Sequence, residues 1–159
     1  MQVKILNNDT ICAIATPHGM AAIAVVRVSG PKAISIVSDL FQHNGKSLEM
    51  SEIASHKAYL GYLINNGELL DEVLVTFFKG PHSFTGEDSA EISVHGSVYV
   101  QQKLLEVLIA HGCRMAEAGE FTRRAFVNRK FDLAQAEAIA DLISSESEAT
   151  HRVVINQLQ

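Results

Sequence analysis

The chain has 159 residues, of which 47% are apolar and 19% are charged. This composition supplies enough apolar surface for a folded core and argues against a disordered chain. A formal net charge of −5 excludes a broad basic surface for nucleic acid as the main feature. The two cysteines, Cys12 and Cys113, give neither a disulfide framework nor a zinc spacing. Since no signal-peptide stretch follows Met1 either, we expect a cytoplasmic protein.

Short apolar segments separated by turn residues predict a sheet. β-Branched and alternating runs predict strands at residues 10–15, 22–28, 59–64, 72–78, 91–95 and 113–116. Asn65-Asn66-Gly67 predicts a hairpin turn, because Asn-Gly readily adopts the positive φ of such a turn. Alternation in the strand at 91–95 predicts that Glu91 shares one face with Ser93 and His95.

Helical patterns lie between and after these strands. Ser29-Gly30-Pro31 predicts a helix start with a hydroxyl near the cap, and the apolar stripe of residues 33–40 continues it. Residues 98–110 predict a longer helix, and residues 119–128 a shorter one. The polar segment 42–55 is predicted to be an irregular surface connection.

The last part of the sequence predicts a long amphipathic helix. Asp132 and Gln135 form a start that resembles a capping box, and apolar residues from 133 to 154 supply one face. The pattern reaches the end of the sequence without a Gly, Pro or basic stop signal. We therefore expect an N-terminal domain at residues 1–127, and the first segment of a truncated helical domain at residues 128–159.

Several familiar types of site find little support. Gly45-Lys46-Ser47 resembles the end of a phosphate-binding loop, but Leu40 stands where that motif needs Gly, and a helix precedes instead of a strand. The seven histidines lack the spacing of a metal site. A serine hydrolase is disfavoured because no G-x-S-x-G motif occurs.

Two charged residues in predicted strands are candidates for binding. Arg27 lies near the end of an apolar strand, where a guanidinium needs an anion or water. It is either a partly buried ion pair with an acid such as Glu91, or an anchor for a ligand carboxylate or polarised oxygen. Glu91 is either solvated or paired, or it accepts two N–H donors from an amidine-like heterocycle such as a pterin. For Glu91 the sequence favours the structural interpretation.

A basic stretch stands out in this acidic chain. It consists of Arg123, Arg124, Arg129 and Lys130. It is either a solvated helix face or a site for a phosphate or an acidic ligand tail. Lys130 follows in an apparent turn between helices, where a flexible ammonium can reach over a pocket.

Several motifs, in order along the chain, together resemble one family. They include Arg27-Val28-Ser29-Gly30-Pro31, Ser83-Phe84-Thr85-Gly86-Glu87-Asp88, His95-Gly96, Gly119-Glu120-Phe121-Thr122 and Asp132-Leu133-Ala134-Gln135. The chain resembles the N-terminal region of the bacterial and organellar tRNA modification GTPases of the MnmE (TrmE) family.

The resemblance implies a fold and a function. The fold is α+β, a mixed sheet with packed helices similar to the folate-binding domain of aminomethyltransferases, followed by the start of an all-helical domain. In this family the N-terminal domain binds a tetrahydrofolate derivative, 5-formyl- or methylene-tetrahydrofolate, and forms the homodimer. The full protein acts with the flavoprotein MnmG on C5 of the wobble uridine of certain tRNAs. Its GTPase domain uses GTP, magnesium and potassium.

The family's folate contacts fall on Arg27, Glu91 and Lys130 of this sequence, each of the matching type. The GTPase motifs are absent from this sequence, so we expect no GTP hydrolysis by this chain alone. Two alternatives are a stand-alone folate-dependent enzyme like an aminomethyltransferase, and a dimerisation scaffold whose charged pocket is vestigial.

Overall fold

The structure is a computed structural model that describes residues 9–128 together with residues 138 and 141. Within them a mixed sheet and packed helices confirm the predicted α+β fold. The strands are β1 (Thr10–Ile14), β2 (Ile23–Ser29), β3 (Phe41–His43), β4 (Lys46–Ser47), β5 (Lys57–Asn65), β6 (Glu68–Phe78), β7 (Ser89–His95) and β8 (Cys113–Met115). The helices are α1 (Ala33–Leu40), α2 (Val98–Ala110) and α3 (Glu120–Val127).

The strands form one sheet in the order β4-β3-β5-β6-β7-β2-β1-β8. Neighbouring strands are antiparallel except β1 and β8, which pair in parallel, so the sheet is mixed as expected. The predicted hairpin joins β5 to β6, with Asn66 and Gly67 at φ 52° and 78°. The central strands β6, β7 and β2 place Thr76, Glu91 and Arg27 side by side in one row.

The core lies on one face of the sheet, beneath α1 and α2. Val26, Val75 and Ile92 point into it and are fully buried, as are apolar residues of the two helices such as Val37 and Leu108. Each such side chain stabilises the fold by about 1.5–3 kcal/mol. The alternation predicted for β7 is confirmed, because Glu91 lies on the opposite, partly exposed face.

The predicted cap of the first helix is wrong. Ser29 is the last residue of β2, and its hydroxyl contacts Thr85 and Glu87 at 2.7 and 2.9 Å. The start of α1 is bound by another strand, since the backbone N–H of Lys32 donates to Oγ1 of Thr10 at 3.0 Å. Sequence reasoning favours a local cap, whereas this partner is 22 positions away.

The segment 42–55 is also more regular than predicted. Asn44 and Gly45, at φ 53° and 78°, form the turn of a short hairpin between β3 and β4, and Met50–Glu52 forms one 3₁₀ turn. This is the same Asn-Gly signal that was recognised at residues 66–67. The Gly45-Lys46-Ser47 motif lies in that hairpin, which is not the setting of a phosphate-binding loop.

Most of the predicted terminal helix and of the second domain lies outside the described residues. Residues 138 and 141 are both helical. In the described part of the chain, every helix is too short or too polar to span a membrane.

Candidate functional site

Arg27 and Glu91 form an ion pair on the sheet face opposite the core. They are direct neighbours across β2 and β7, and Nε of Arg27 donates to Oε2 of Glu91 at 3.0 Å. Their side chains are 23% and 32% exposed. The pair is therefore half-buried, which keeps it accessible to a ligand while reducing its screening by water.

Two aromatic rings pack against the guanidinium. Cζ of Arg27 lies over the ring of Phe84 at 4.9 Å from the centroid, and over the ring of Phe121 at 5.3 Å. Both distances are within the range of cation–π attraction. Phe84 comes from the loop between β6 and β7, and Phe121 from the first turn of α3.

Sequence reasoning missed Phe84 and Phe121 as site residues. Both lie in motifs that carried the family resemblance, Ser83-Phe84-Thr85-Gly86-Glu87-Asp88 and Gly119-Glu120-Phe121-Thr122. A signal was thus present in the sequence. Their closeness to Arg27 was not predictable, because it depends on how a loop and a distant helix fold back over the sheet.

Hydrogen bonds tie that loop to β2 and α3. Oγ of Ser29 contacts Oγ1 of Thr85 and donates to Glu87. Nδ2 of Asn128, at the end of α3, donates to the carbonyl of Thr85 at 2.9 Å. Arg124 donates to both carboxylate oxygens of Glu87 at 3.2 Å. These bonds, which we call the loop–helix tie, hold the two rings in place.

A cluster of charged side chains continues from the loop–helix tie to β8, the strand at one edge of the sheet. We call Asp9, Glu87, Arg114, Glu120 and Arg124 the ion cluster. Glu120 is 1% exposed, and it accepts two hydrogen bonds from Arg114 at 3.0 and 2.7 Å and one from Arg124 at 3.1 Å. Asp9 accepts from Arg114 at 2.5 Å and from Arg124 at 2.6 Å.

These contacts lower the pKa values of two carboxyls in the ion cluster. Burial raises the pKa of Glu120, but hydrogen bonds from Arg114 and from the Glu117 backbone, together with nearby arginine charge, hold it below its usual value of 4.5. Hydrogen bonds from Arg114 outweigh burial and hold the pKa of Asp9 below 3.8, with Arg124 adding to the effect. Both carboxylates are therefore ionised at neutral pH.

The basic stretch does not form one surface. Arg124 is only 8% exposed and belongs to the ion cluster, so its interpretation as part of a free positive patch is wrong. Arg123 is exposed and lies 3.5 Å from Glu117. Arg129 and Lys130 lie outside the described residues. The structure thus brings Arg27 and Glu91 together, and the prediction for Lys130 stays a prediction.

A cavity of about 350 Å³ opens beside the site. It is lined by His56, Phe78, His82, Ser83 and Phe84. Phe84 is shared between this cavity and the packing around Arg27. The exposed side of the ion pair and the cavity therefore adjoin through one aromatic ring.

The fold and site define a class, a mixed-sheet α+β domain with an arginine–glutamate pair under two phenylalanine rings. Residues 10–130 match a family model described as "GTP-binding protein TrmE N-terminus". The chain therefore belongs to this family.

Curated relatives are similar along nearly the whole chain. Proteins named "tRNA modification GTPase MnmE" from Flavobacterium johnsoniae and Bacteroides thetaiotaomicron are each 53% identical over 154 residues, which is 97% of the chain and 33% of each relative. The protein of that name from Porphyromonas gingivalis is 50% identical over 153 residues, 96% of the chain and 32% of the relative. The chain thus spans about a third of the length of these relatives.

Proposed function

We propose that this chain is the folate-binding and dimerising N-terminal module of a tRNA modification GTPase. The observation that carries the proposal is the half-buried ion pair of Arg27 and Glu91 on an open sheet face. Family membership supports the wider setting, because the relatives are named as tRNA modification GTPases.

The chemistry of the pair fits a tetrahydrofolate derivative. A carboxylate accepts paired N–H donors from an amidine-like ring, so Glu91 would bind the pterin N–H groups. Arg27 would donate to a polar oxygen or to the carboxylate end of the ligand. Lys130 would close over the ligand and offset its negative charge. Folate supplies the one-carbon unit, and these side chains bind and orient it.

The rest of the proposal concerns the full-length protein. With the flavoprotein MnmG, it would modify C5 of the wobble uridine of certain tRNAs in the cytoplasm, where these tRNAs are found. GTP hydrolysis with magnesium and potassium would take place in a separate GTPase domain. The homodimer would form through the module described here.

Calorimetric titration with 5-formyltetrahydrofolate tests the proposal. We expect saturable binding near one ligand per subunit, and an affinity about tenfold to a hundredfold lower for Glu91→Gln, because one charge-assisted set of hydrogen bonds is lost. Glu72→Gln is the matched control, since Glu72 is an exposed acid on neighbouring β6. Absence of binding by the unsubstituted chain at millimolar ligand would favour a dimerisation scaffold instead.

A further inference from the structure

The ion pair leaves donors and an acceptor next to each other. A guanidinium carries five N–H donors, and Arg27 uses only Nε for Glu91 among the described residues. The terminal nitrogens of Arg27 and the second oxygen of Glu91 make no hydrogen bond within that part of the chain. One short stretch of the sheet face therefore offers N–H donors beside a carboxylate oxygen.

The two phenylalanine rings restrict how a ligand can approach. Cζ of Arg27 lies 4.9 Å from the centroid of the Phe84 ring and 5.3 Å from that of the Phe121 ring, so aromatic carbon occupies space on the sides of the guanidinium where these rings lie. A ligand must therefore reach the remaining N–H donors of Arg27 from a direction that the two rings leave open.

Hydrogen bonds outside the ion pair hold together the loop that carries Phe84 and the helix that carries Phe121. Phe121 shares one face of α3 with Arg124 and Asn128, which are three and seven positions further on. Those two residues bind Glu87 and Thr85 in the loop that carries Phe84. The loop and the helix therefore hold both rings as one unit.

We propose that Phe84 and Phe121 are positioning residues that orient the Arg27–Glu91 pair for the lactam edge of a pterin. Along that edge, ring N3–H and the 2-amino group are donors and the 4-oxo group is an acceptor. Glu91 accepts from the donors, and Arg27 donates to the 4-oxo oxygen. The inference rests on the proposed function and narrows it, because Arg27 then recognises the pterin ring instead of the carboxylate tail.

A pair of ligands tests the assignment of the lactam edge to Arg27 and Glu91. In the 4-amino-4-deoxy counterpart of 5-formyltetrahydrofolate, the 4-oxo acceptor becomes an amino donor and ring N3 loses its hydrogen and becomes an acceptor. We expect the 4-amino compound to bind the unsubstituted chain at least about tenfold more weakly, since it places N–H groups against N–H groups at Arg27 and a nitrogen lone pair against the carboxylate of Glu91. p-Aminobenzoylglutamate, which carries the tail without the pterin, should not compete.

Variants of α3 test the positioning role. Phe121→Leu should reduce the preference for the 4-oxo compound by about tenfold while the circular dichroism spectrum stays unchanged, because the pair is still present but less well oriented. Phe121→Tyr keeps an aromatic ring and should restore the preference. Phe126→Leu is the matched control, since Phe126 lies on the same helix and is 37% exposed.

The outcomes separate this inference from the function on which it rests. If the unsubstituted chain binds neither compound, the proposed function fails and the inference fails with it. If it binds both equally, folate binding stands and the assignment of the lactam edge to Arg27 and Glu91 is overturned. If p-aminobenzoylglutamate competes, folate binding stands and the assignment of Arg27 to the pterin ring is overturned. If Phe121→Leu keeps the full preference, or if Phe126→Leu loses as much, the positioning role is overturned.

Discussion

Gly96 is a residue at which two backbone segments pass very close to each other. Its backbone N–H and carbonyl pair with Ala22 and Ala21 at 3.2 and 3.1 Å, and the side chain of Gln101 donates to the same carbonyl. A Cβ on Gly96 would lie 1.9 Å from the carbonyl oxygen of Ala21. The segment before β2 is therefore held against the end of β7 by contacts that only glycine allows.

We expect Gly96→Ala to lower the free energy of unfolding by about 3 kcal/mol or more, because one of the two backbones must move away. Gly45→Ala is the comparison, since Gly45 has positive φ but open space around its Cα. Its cost should be about 1–2 kcal/mol. Urea unfolding of both variants measures the difference, and equal losses would mean that the contact at Gly96 contributes nothing beyond backbone strain.

Single residues differ in how far the sequence predicted their role. Arg27 and Glu91 were candidates because a charge in an apolar strand needs a partner. One alternative was an ion pair between the two, and the structure places them opposite each other on neighbouring strands. Arg124 was predicted to belong to a basic stretch that is either a solvated helix face or a site for an anion. Its burial depends on Asp9, which lies 115 positions away, and no local pattern contains such a contact.

At the scale of elements, α3 differs from α1 and α2 in burying charged side chains. Glu120 and Arg124 point inward, at positions where apolar residues are usual. A buried charge is tolerated only when it is paired, and each of these two has at least two partners of opposite charge. The attachment of α3 should therefore respond to pH and to loss of a single partner.

The pH response follows from the two lowered pKa values. The carboxyls of Asp9 and Glu120 bind protons less tightly in the folded chain than in the unfolded one. Their contribution to the free energy of unfolding is therefore fully present above their ordinary pKa values of 3.8 and 4.5. It is lost as the pH falls through the lower pKa values of the folded chain. We expect the free energy of unfolding to decrease from about pH 5 downward. Urea unfolding between neutral and acid pH measures this slope.

Glu120→Gln identifies the source of that slope. Removing the charge leaves Arg114 and Arg124 short of a partner, so we expect a loss of about 3 kcal/mol at neutral pH and a flatter acid limb. Glu117→Gln is the control, because its side chain is 68% exposed and should change stability by less than about 0.5 kcal/mol. If the free energy of unfolding of Glu120→Gln falls as steeply with decreasing pH as that of the unsubstituted chain, groups other than Glu120 cause the slope.

Elements with a strong local signal were predicted well. The helix at 98–110 agrees with α2 residue for residue, because Ser97 caps its start through the N–H of Val100 and Gly112 follows its end at φ 108°. The six predicted strands agree with the structure except at their ends, whereas the short strands β3 and β4 were not predicted. The cap predicted for α1 was wrong because the hydroxyl that caps this helix is not local. It belongs to Thr10, which lies in strand β1.

At the scale of the whole molecule, the sheet has one covered face and one partly open face. Next to the row that contains Arg27 and Glu91 lies a second row across β5, β6, β7 and β2, which consists of Leu60, Leu74, Ser93 and Val25. Leu60 is 59% exposed and Leu74 is 41% exposed. Rows two residues apart on a strand are roughly 7 Å apart, so this row, apolar except for Ser93, adjoins the candidate site. We call it the apolar row.

The open face leads to a prediction about assembly. Tyr62 and Ile23 lie on the same face in the next row, opposite Glu72 and His95, and are 45% and 62% exposed. Exposed apolar side chains grouped on one face are typical of an interface between proteins, and the proposed homodimer would cover them with a second copy of the chain. The ligand site of each subunit would then lie beside the interface.

Leu60→Lys tests whether this face forms the dimer. A lysine buried there would bring an unpaired charge into the interface. We therefore expect the dissociation constant of the dimer, measured by sedimentation, to rise about a hundredfold. Ile109→Lys is the matched control, since Ile109 is an exposed apolar residue of α2 at 45% exposure, and α2 packs on the other face of the sheet. Because both positions are at the surface, both variants should fold with unchanged thermal stability of the monomer. If Ile109→Lys dissociates the dimer and Leu60→Lys does not, the interface lies on the helical side and the apolar row has another partner.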